Sequence, residues 1–92
     1  AGWISQQVAD YVAERGMGHA LLYGPCHGIG LMECEHPWME TSSTYELVPN
    51  MTFQVDSFLH TDEYGARFED GVLVTEEGAE EFPTYRRELI VL

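Results

Sequence analysis

The sequence predicts an α+β chain, with one helix packed on a mainly antiparallel sheet. Three observations carry that reading. Residues 3–15 place Ile4, Val8, Tyr11 and Val12 at helical spacing, with Gln6, Gln7, Asp10 and Glu14 elsewhere. Met51, Phe53 and Val55 alternate with Thr52, Gln54 and Asp56, the period of a half-buried strand. Turn-forming clusters at 61–65 and 76–78 then cut the rest of the chain into strand-length pieces.

Taken in order, the helix is expected to stop at Gly16, a residue suited to the left-handed position after a helix end. Residues 19–23 read as a short strand. Residues 24–30, Gly-Pro-Cys-His-Gly-Ile-Gly, read as a tight loop. Glycines so dense set unusual backbone angles or let the backbone approach something closely. Pro37 ends the next short stretch, and residues 41–44 are a surface loop. The strand that starts at Met51 turns at 61–64, and residues 66–75 return. A turn at 76–78 leads to a short strand at 80–82, and residues 89–92 form a last apolar run. No internal repeat or low-complexity segment interrupts this order.

The 92 residues make one domain at most. A chain of this size buries roughly 60–65% of the surface its unfolded form exposes, so the core is small. Two Trp, five Tyr and four Phe argue against disorder. The net charge of -12, with no lysine, disfavours a phosphate backbone or an anionic membrane as partner. It favours metal cations or basic partners, or simply a solvated acidic face such as Glu76, Glu77, Glu80 and Glu81. Cys26 and Cys34 are too few and wrongly spaced for a disulfide scaffold, which points to a reducing compartment, the cytoplasm. No apolar run reaches the roughly 20 residues of a membrane span.

The chemistry is concentrated in a few residues. If the 61–64 turn closes symmetrically, Phe58 faces Arg67 and Asp56 faces Glu69. Opposed like charges destabilise a sheet unless something neutralises them. A divalent cation would do so. Arg67, two residues from Glu69 on the same face, would also do so, and a bulge would separate the pair. His27 stands among glycines, either as a metal ligand or as a loop residue capping a carbonyl. His27, Asp56 and Glu69 together form a nitrogen-and-oxygen set suited to Mn, Fe, Co or Zn. His36 reads as a surface-turn residue or as one lining a substrate. Trp3 and Trp38 read as packing residues, with Trp38 close to the 35–37 segment. Glu33, His19 and His60 read as exposed.

Five short motifs run in order. They are His27-Gly28-Ile29-Gly30-Leu31; Glu35 with Pro37; Pro49-Asn50-Met51-Thr52-Phe53; Gly65-Ala66-Arg67-Phe68-Glu69-Asp70; and Val74-Thr75-Glu76-Glu77-Gly78. In this order and spacing the chain resembles the pita-bread metallopeptidases, which include Xaa-Pro aminopeptidase, prolidase, methionine aminopeptidase and creatinase. The resemblance covers nearly the whole chain and implies the second half of a pita-bread fold. It implies a two-metal site of two aspartates, one histidine and two glutamates, with His27, Asp56 and Glu69 as the ligands present here. The two aspartates would belong to a preceding half-domain, which becomes an expected partner alongside a peptide or small-molecule substrate. The chain opens without an initiator Met, so a processed or excised segment is expected.

Two departures stand out. Asp56 occupies a position where the resembled family carries Glu, one methylene longer. Cys34 stands seven residues after His27, where those peptidases carry a second histidine that contacts substrate. The resemblance places Cys34, Glu35 and His36 on the catalytic side and Arg67 and Trp38 on the substrate side. Three readings follow: a metallohydrolase cleaving a C–N bond of a proline-containing peptide or small amide, a non-peptidase enzyme on the same fold, and a non-catalytic binding module. For the isolated chain, no catalysis is expected. Self-association into a homo-oligomer is expected through the apolar face that would meet the other half.

Overall fold

A computed structural model describes residues 1–92. Helix α1 spans Gly2–Glu14, and five strands follow: β1 Cys26–Gly28, β2 Glu35–Met39, β3 Thr52–His60, β4 Gly65–Val74 and β5 Ala79–Glu81. The strands form one antiparallel sheet in the order β2-β1-β3-β4-β5. The helix lies on this sheet, as the sequence predicts.

The β3–β4 hairpin is the longest ladder and has the predicted register. His60 pairs with Gly65, Phe58 with Arg67, Asp56 with Glu69 and Thr52 with Leu73, without a bulge. Thr61 closes the turn through its backbone N–H to the Tyr64 carbonyl at 2.8 Å. Because side chains alternate along a strand and opposed residues share a face, this register sorts the sheet into two faces. Phe53, Val55 and Val72 point to one. Gln54, Asp56, Arg67 and Glu69 point to the other. Cys26, Met39 and Phe53 make the core on the first face, with Tyr45, Leu47, Met51 and Val74 packed around them.

The helix ends as predicted. Gly16 has φ +73°, and the N–H groups of Gly16 and Met17 close back on the carbonyls of Ala13 and Val12 at 2.9 and 3.0 Å. This is the Schellman pattern, which satisfies two helix-end acceptors. The helix buries only part of the expected face: Val8 and Val12 of the apolar stripe are half-buried. Gly2 and Ser5 are buried, whereas Ile4 and Tyr11 are exposed. The first turn is tied to the loop after β2, where the Ala1 ammonium donates to the Tyr45 carbonyl and the Gly2 N–H to that of Ser43, both at 3.0 Å. That anchorage turns the apolar stripe aside. Trp3, read as a packing residue, is 73% exposed.

Two local expectations give way to tertiary structure. Residues 19–23 hold a short 3-10 turn, Gly18–Ala20, and a single bridge from Leu21 to Leu59 rather than a strand. Pro25, lacking an N–H, stops the ladder from continuing there. The glycine-rich run is not a loop but contains β1, hydrogen-bonded on both sides. A Cβ on Gly28 would lie 2.6 Å from the His36 carbonyl oxygen, so only glycine lets β1 and β2 meet at this irregular step. The apolar run at 89–92 finds no strand partner and is exposed.

Candidate metal centre

The polar face of the sheet gathers residues from three adjacent strands. His27 lies on β1, opposite Gln54 of β3 and Trp38 of β2. Asp56 lies two residues beyond Gln54 and therefore on the same face, opposite Glu69 of β4. One ligand atom from each of His27, Asp56 and Glu69 falls within 4.8 Å of the others. The sequence is thus folded so that a three-residue strand, fixed on both edges, brings its histidine to a carboxylate pair set by hairpin register.

His27 is buried. Its Nδ1 lies 3.1 Å from the Gly28 carbonyl. A carbonyl only accepts, so that nitrogen carries the proton. The arrangement leaves the Nε2 lone pair of the neutral ring free, which is how metal-binding histidines are commonly oriented. Nε2 stands 3.8 Å from Glu69 Oε1. That is too far for a hydrogen bond. It matches the separation of roughly 3–4 Å between two donors bonded to one cation at about 2.0–2.2 Å.

Asp56 is 3% exposed and is held by two side chains. Arg67 donates Nε to Oδ1 and NH2 to Oδ2, both at 2.9 Å, and Tyr23 donates its hydroxyl to Oδ2 at 2.8 Å. Burial pushes the Asp56 carboxyl up, but the hydrogen bonds from Arg67 and Tyr23 and the charge of Arg67 outweigh it and hold the group below its ordinary range. Burial and then the bond to Asp56 raise Tyr23. The bond to Asp56 likewise raises Arg67. Arg67 NH2 also reaches Glu69 Oε2 at 3.1 Å. The donor set, two carboxylates and a free imidazole nitrogen, fits a divalent metal of the Mn, Fe, Co or Zn type. The guanidinium supplies the positive charge that the two opposed carboxylates require.

A cleft of about 610 Å³ opens on this face, lined by Tyr23, His27, Cys34, Trp38, Asp56 and Arg67, with Glu33 also on its wall. Trp38 is 40% exposed and tilts against His27 with ring centroids 5.8 Å apart. Glu35 and His36, placed by resemblance on the catalytic side, do not line the cleft. The Glu35 carboxylate accepts from the Met32 N–H at 3.0 Å and so closes its own loop. His36 packs edge-on against Trp38. Cys34 is exposed and Cys26 buried, both as free thiols. Burial pushes the Cys26 thiol up to about 11. His19 and His60 are exposed, as expected, and lie apart from this cleft beside the 61–64 turn.

Sequence reasoning missed Tyr23. Its partner Asp56 is 33 residues away, so no local spacing reveals the bond. The only trace in the sequence is an aromatic placed just before the glycine-rich run.

Comparison with known proteins agrees with this geometry. The family model described as "Metallopeptidase family M24" matches residues 1–76. The probable dipeptidase PepE of Mycobacterium bovis is 37% identical over 84 residues, which is 90% of this chain and 22% of that protein. The Xaa-Pro dipeptidase of Bacillus anthracis superposes with a TM-score of 0.92 at 33% identity, covering 99% of this chain and 26% of that one. The X-Pro aminopeptidase of Thermotoga maritima gives the same TM-score at 26% identity, over 99% of this chain and 26% of its own. The chain therefore spans about a quarter of the length of these relatives, and its helix-on-sheet unit has the pita-bread arrangement. With the ordered motifs, the sheet register and the matched model in agreement, the chain belongs to metallopeptidase family M24.

Proposed function

We propose that this chain is the C-terminal portion of a pita-bread catalytic domain. It contributes His27, Asp56 and Glu69 to a divalent-metal centre that hydrolyses a C–N bond in a proline-containing peptide. The observation that carries this reading is the convergence of those three donors, from three neighbouring strands, within 4.8 Å. A bound dication would supply Lewis-acid polarisation of the scissile carbonyl. The chain's own residues do the rest. His27 presents Nε2 because Gly28 holds its other nitrogen. Asp56 is oriented by Tyr23 and Arg67. Trp38 offers a flat apolar wall for a proline ring, and Cys34 lies where substrate would pass. His36 packs edge-on against Trp38, and Glu35 closes the loop before it.

Three ligands do not fill two coordination spheres, so the chain by itself is inactive and works joined to a preceding half-domain that provides more carboxylates. The two free thiols suit a reducing cytoplasm. The test is an assay of a protein of its relatives' length that carries this segment, loaded with Mn or Co and offered X-Pro dipeptides. Turnover that disappears in His27→Ala and Glu69→Gln is expected. A metal-loaded protein that leaves every X-Pro dipeptide intact overturns the peptidase reading.

A second reading rests on Cys34, which replaces an imidazole with a thiol on the cleft wall. On that reading the enzyme acts on a small non-peptide substrate. Cys34→His in the same longer protein then creates X-Pro cleavage that the native sequence lacks. Unchanged cleavage in both removes this reading.

A further inference from the structure

We infer that Tyr23 is a specificity-determining residue whose hydroxyl oxygen accepts a hydrogen bond from the free amino terminus of the substrate dipeptide. This rests on the peptidase reading above and adds the group that recognises the N-terminal end of the substrate. Tyr23 is 40% exposed and lines the cleft with His27 and Trp38. Its hydroxyl donates to Asp56 Oδ2 at 2.8 Å. A carboxylate only accepts, so the single hydroxyl hydrogen is committed there. The phenol oxygen therefore faces the cleft as an acceptor.

The segment around Tyr23 is tied down on both sides. The Leu22 N–H donates to the Phe58 carbonyl at 3.1 Å, and the Asp56 N–H donates to the Pro25 carbonyl at 2.7 Å. Both bonds fix residues flanking Tyr23 to β3. A Cβ on Gly24 would lie 2.7 Å from the Met39 carbonyl oxygen, so β2 packs directly on the backbone here. Phe58 braces the ring, with centroids 6.3 Å apart. The acceptor is thus preorganised, and binding spends little ordering on it.

The chemistry of an X-Pro dipeptide leaves one main-chain partner for that acceptor. The scissile nitrogen belongs to proline and carries no hydrogen. The C-terminal carboxylate is ionised and only accepts. The amino terminus of X is the one N–H donor left. It is two bonds from the scissile carbonyl carbon, so a carbonyl held at the metal centre brings it beside the metal ligands. Tyr23 touches one of those ligands, Asp56. Glu33 and Glu40, on the same cleft, favour an amino group there over a carboxylate. Tyr23 thereby selects dipeptides with a free N-terminus over N-blocked ones.

The test compares Ala-Pro with propionyl-proline, which is the same molecule without its amino group, on the longer Mn-loaded protein that carries this segment. The KM for Ala-Pro and the inhibition constant of propionyl-proline are measured for the native protein and for Tyr23→Phe. Tyr23→Phe is expected to raise the KM for Ala-Pro about tenfold or more, the loss of one charge-assisted hydrogen bond. The constant for propionyl-proline should rise far less. An equal rise in both constants means that Tyr23 acts only through Asp56, and overturns the inference while leaving the peptidase reading intact. A native protein that leaves Ala-Pro and other X-Pro dipeptides intact removes the peptidase reading and this inference with it. If Tyr23→Phe fails to fold, 3-fluorotyrosine at position 23 gives the answer, since it keeps the ring and the bond to Asp56 but accepts less well. It should raise the KM for Ala-Pro severalfold, and an unchanged KM overturns the inference.

Discussion

The two faces of one sheet are held by different physics. On one face Cys26, Met39 and Phe53 exclude water through contacts that have no preferred direction. On the other, Asp56 is as buried as the core residues, yet three directed hydrogen bonds hold it there. An apolar face tolerates exchange of one hydrophobe for another of like volume. A buried carboxylate tolerates no loss of a partner, because the remaining group keeps the full cost of its desolvation. The chain thus spends stability on its polar face, which is what a site built for a cation requires.

The comparison breaks most sharply at Phe53, which is 1% exposed and central to the small core. Phe53→Ala should cost about 3–5 kcal/mol, measured by urea unfolding followed by circular dichroism. For a chain this short, that is most of the stability available. Phe53→Leu should cost much less. Equal losses for the two substitutions would mean that this face depends on shape rather than on volume.

What the sequence revealed divides along the same line. The hairpin register was legible because an alternating strand and a symmetric turn leave one pairing, in which Asp56 meets Glu69. The helix end was legible because Gly16 is one of few residues comfortable at φ +73°. Arg67 as a balance for the carboxylates was also within reach, being two residues from Glu69 on one face. By contrast, β1 was hidden. A three-residue strand has no period, and its pairing comes wholly from β2 and β3 on either side. Tyr23 was hidden because only the fold brings it to Asp56. The helix misled, since an apolar stripe does not say that backbone contacts at Gly2 will decide the docking.

The polar face has a pH dependence that the apolar core lacks. Asp56 has a folded-state pKa held below its ordinary value. Its contribution to stability is therefore present above the unfolded value of about 3.9 and is lost as pH falls through the folded one. Asp56→Asn should cost about 1–3 kcal/mol at pH 7, from weakened charge-assisted hydrogen bonds. The same change should flatten the loss of stability between pH 4 and lower values (about the range where this carboxyl titrates). Urea midpoints measured across that range for both proteins decide the matter. Parallel pH curves would show that Asp56 is not the group responsible.

The smallest effect sharpens the comparison without unfolding anything. The two thiols differ in burial: Cys26 is packed in the core with only its edge toward the cleft, and Cys34 is exposed on the cleft wall. The thiolate is the reactive species, so a thiol pushed up to about 11 by burial, with the charge of Asp56 adding to it, is nearly all protonated at pH 8. Ellman's reagent at that pH should therefore modify Cys34 quickly and Cys26 only as the chain opens. The slow phase should accelerate in Phe53→Ala, because weakening the core raises the open population that exposes Cys26. It should stay unchanged in Cys34→Ser, which removes only the fast phase. Two equally fast phases in the native chain would mean that the core face is open to solvent, and the contrast between the two faces would fall.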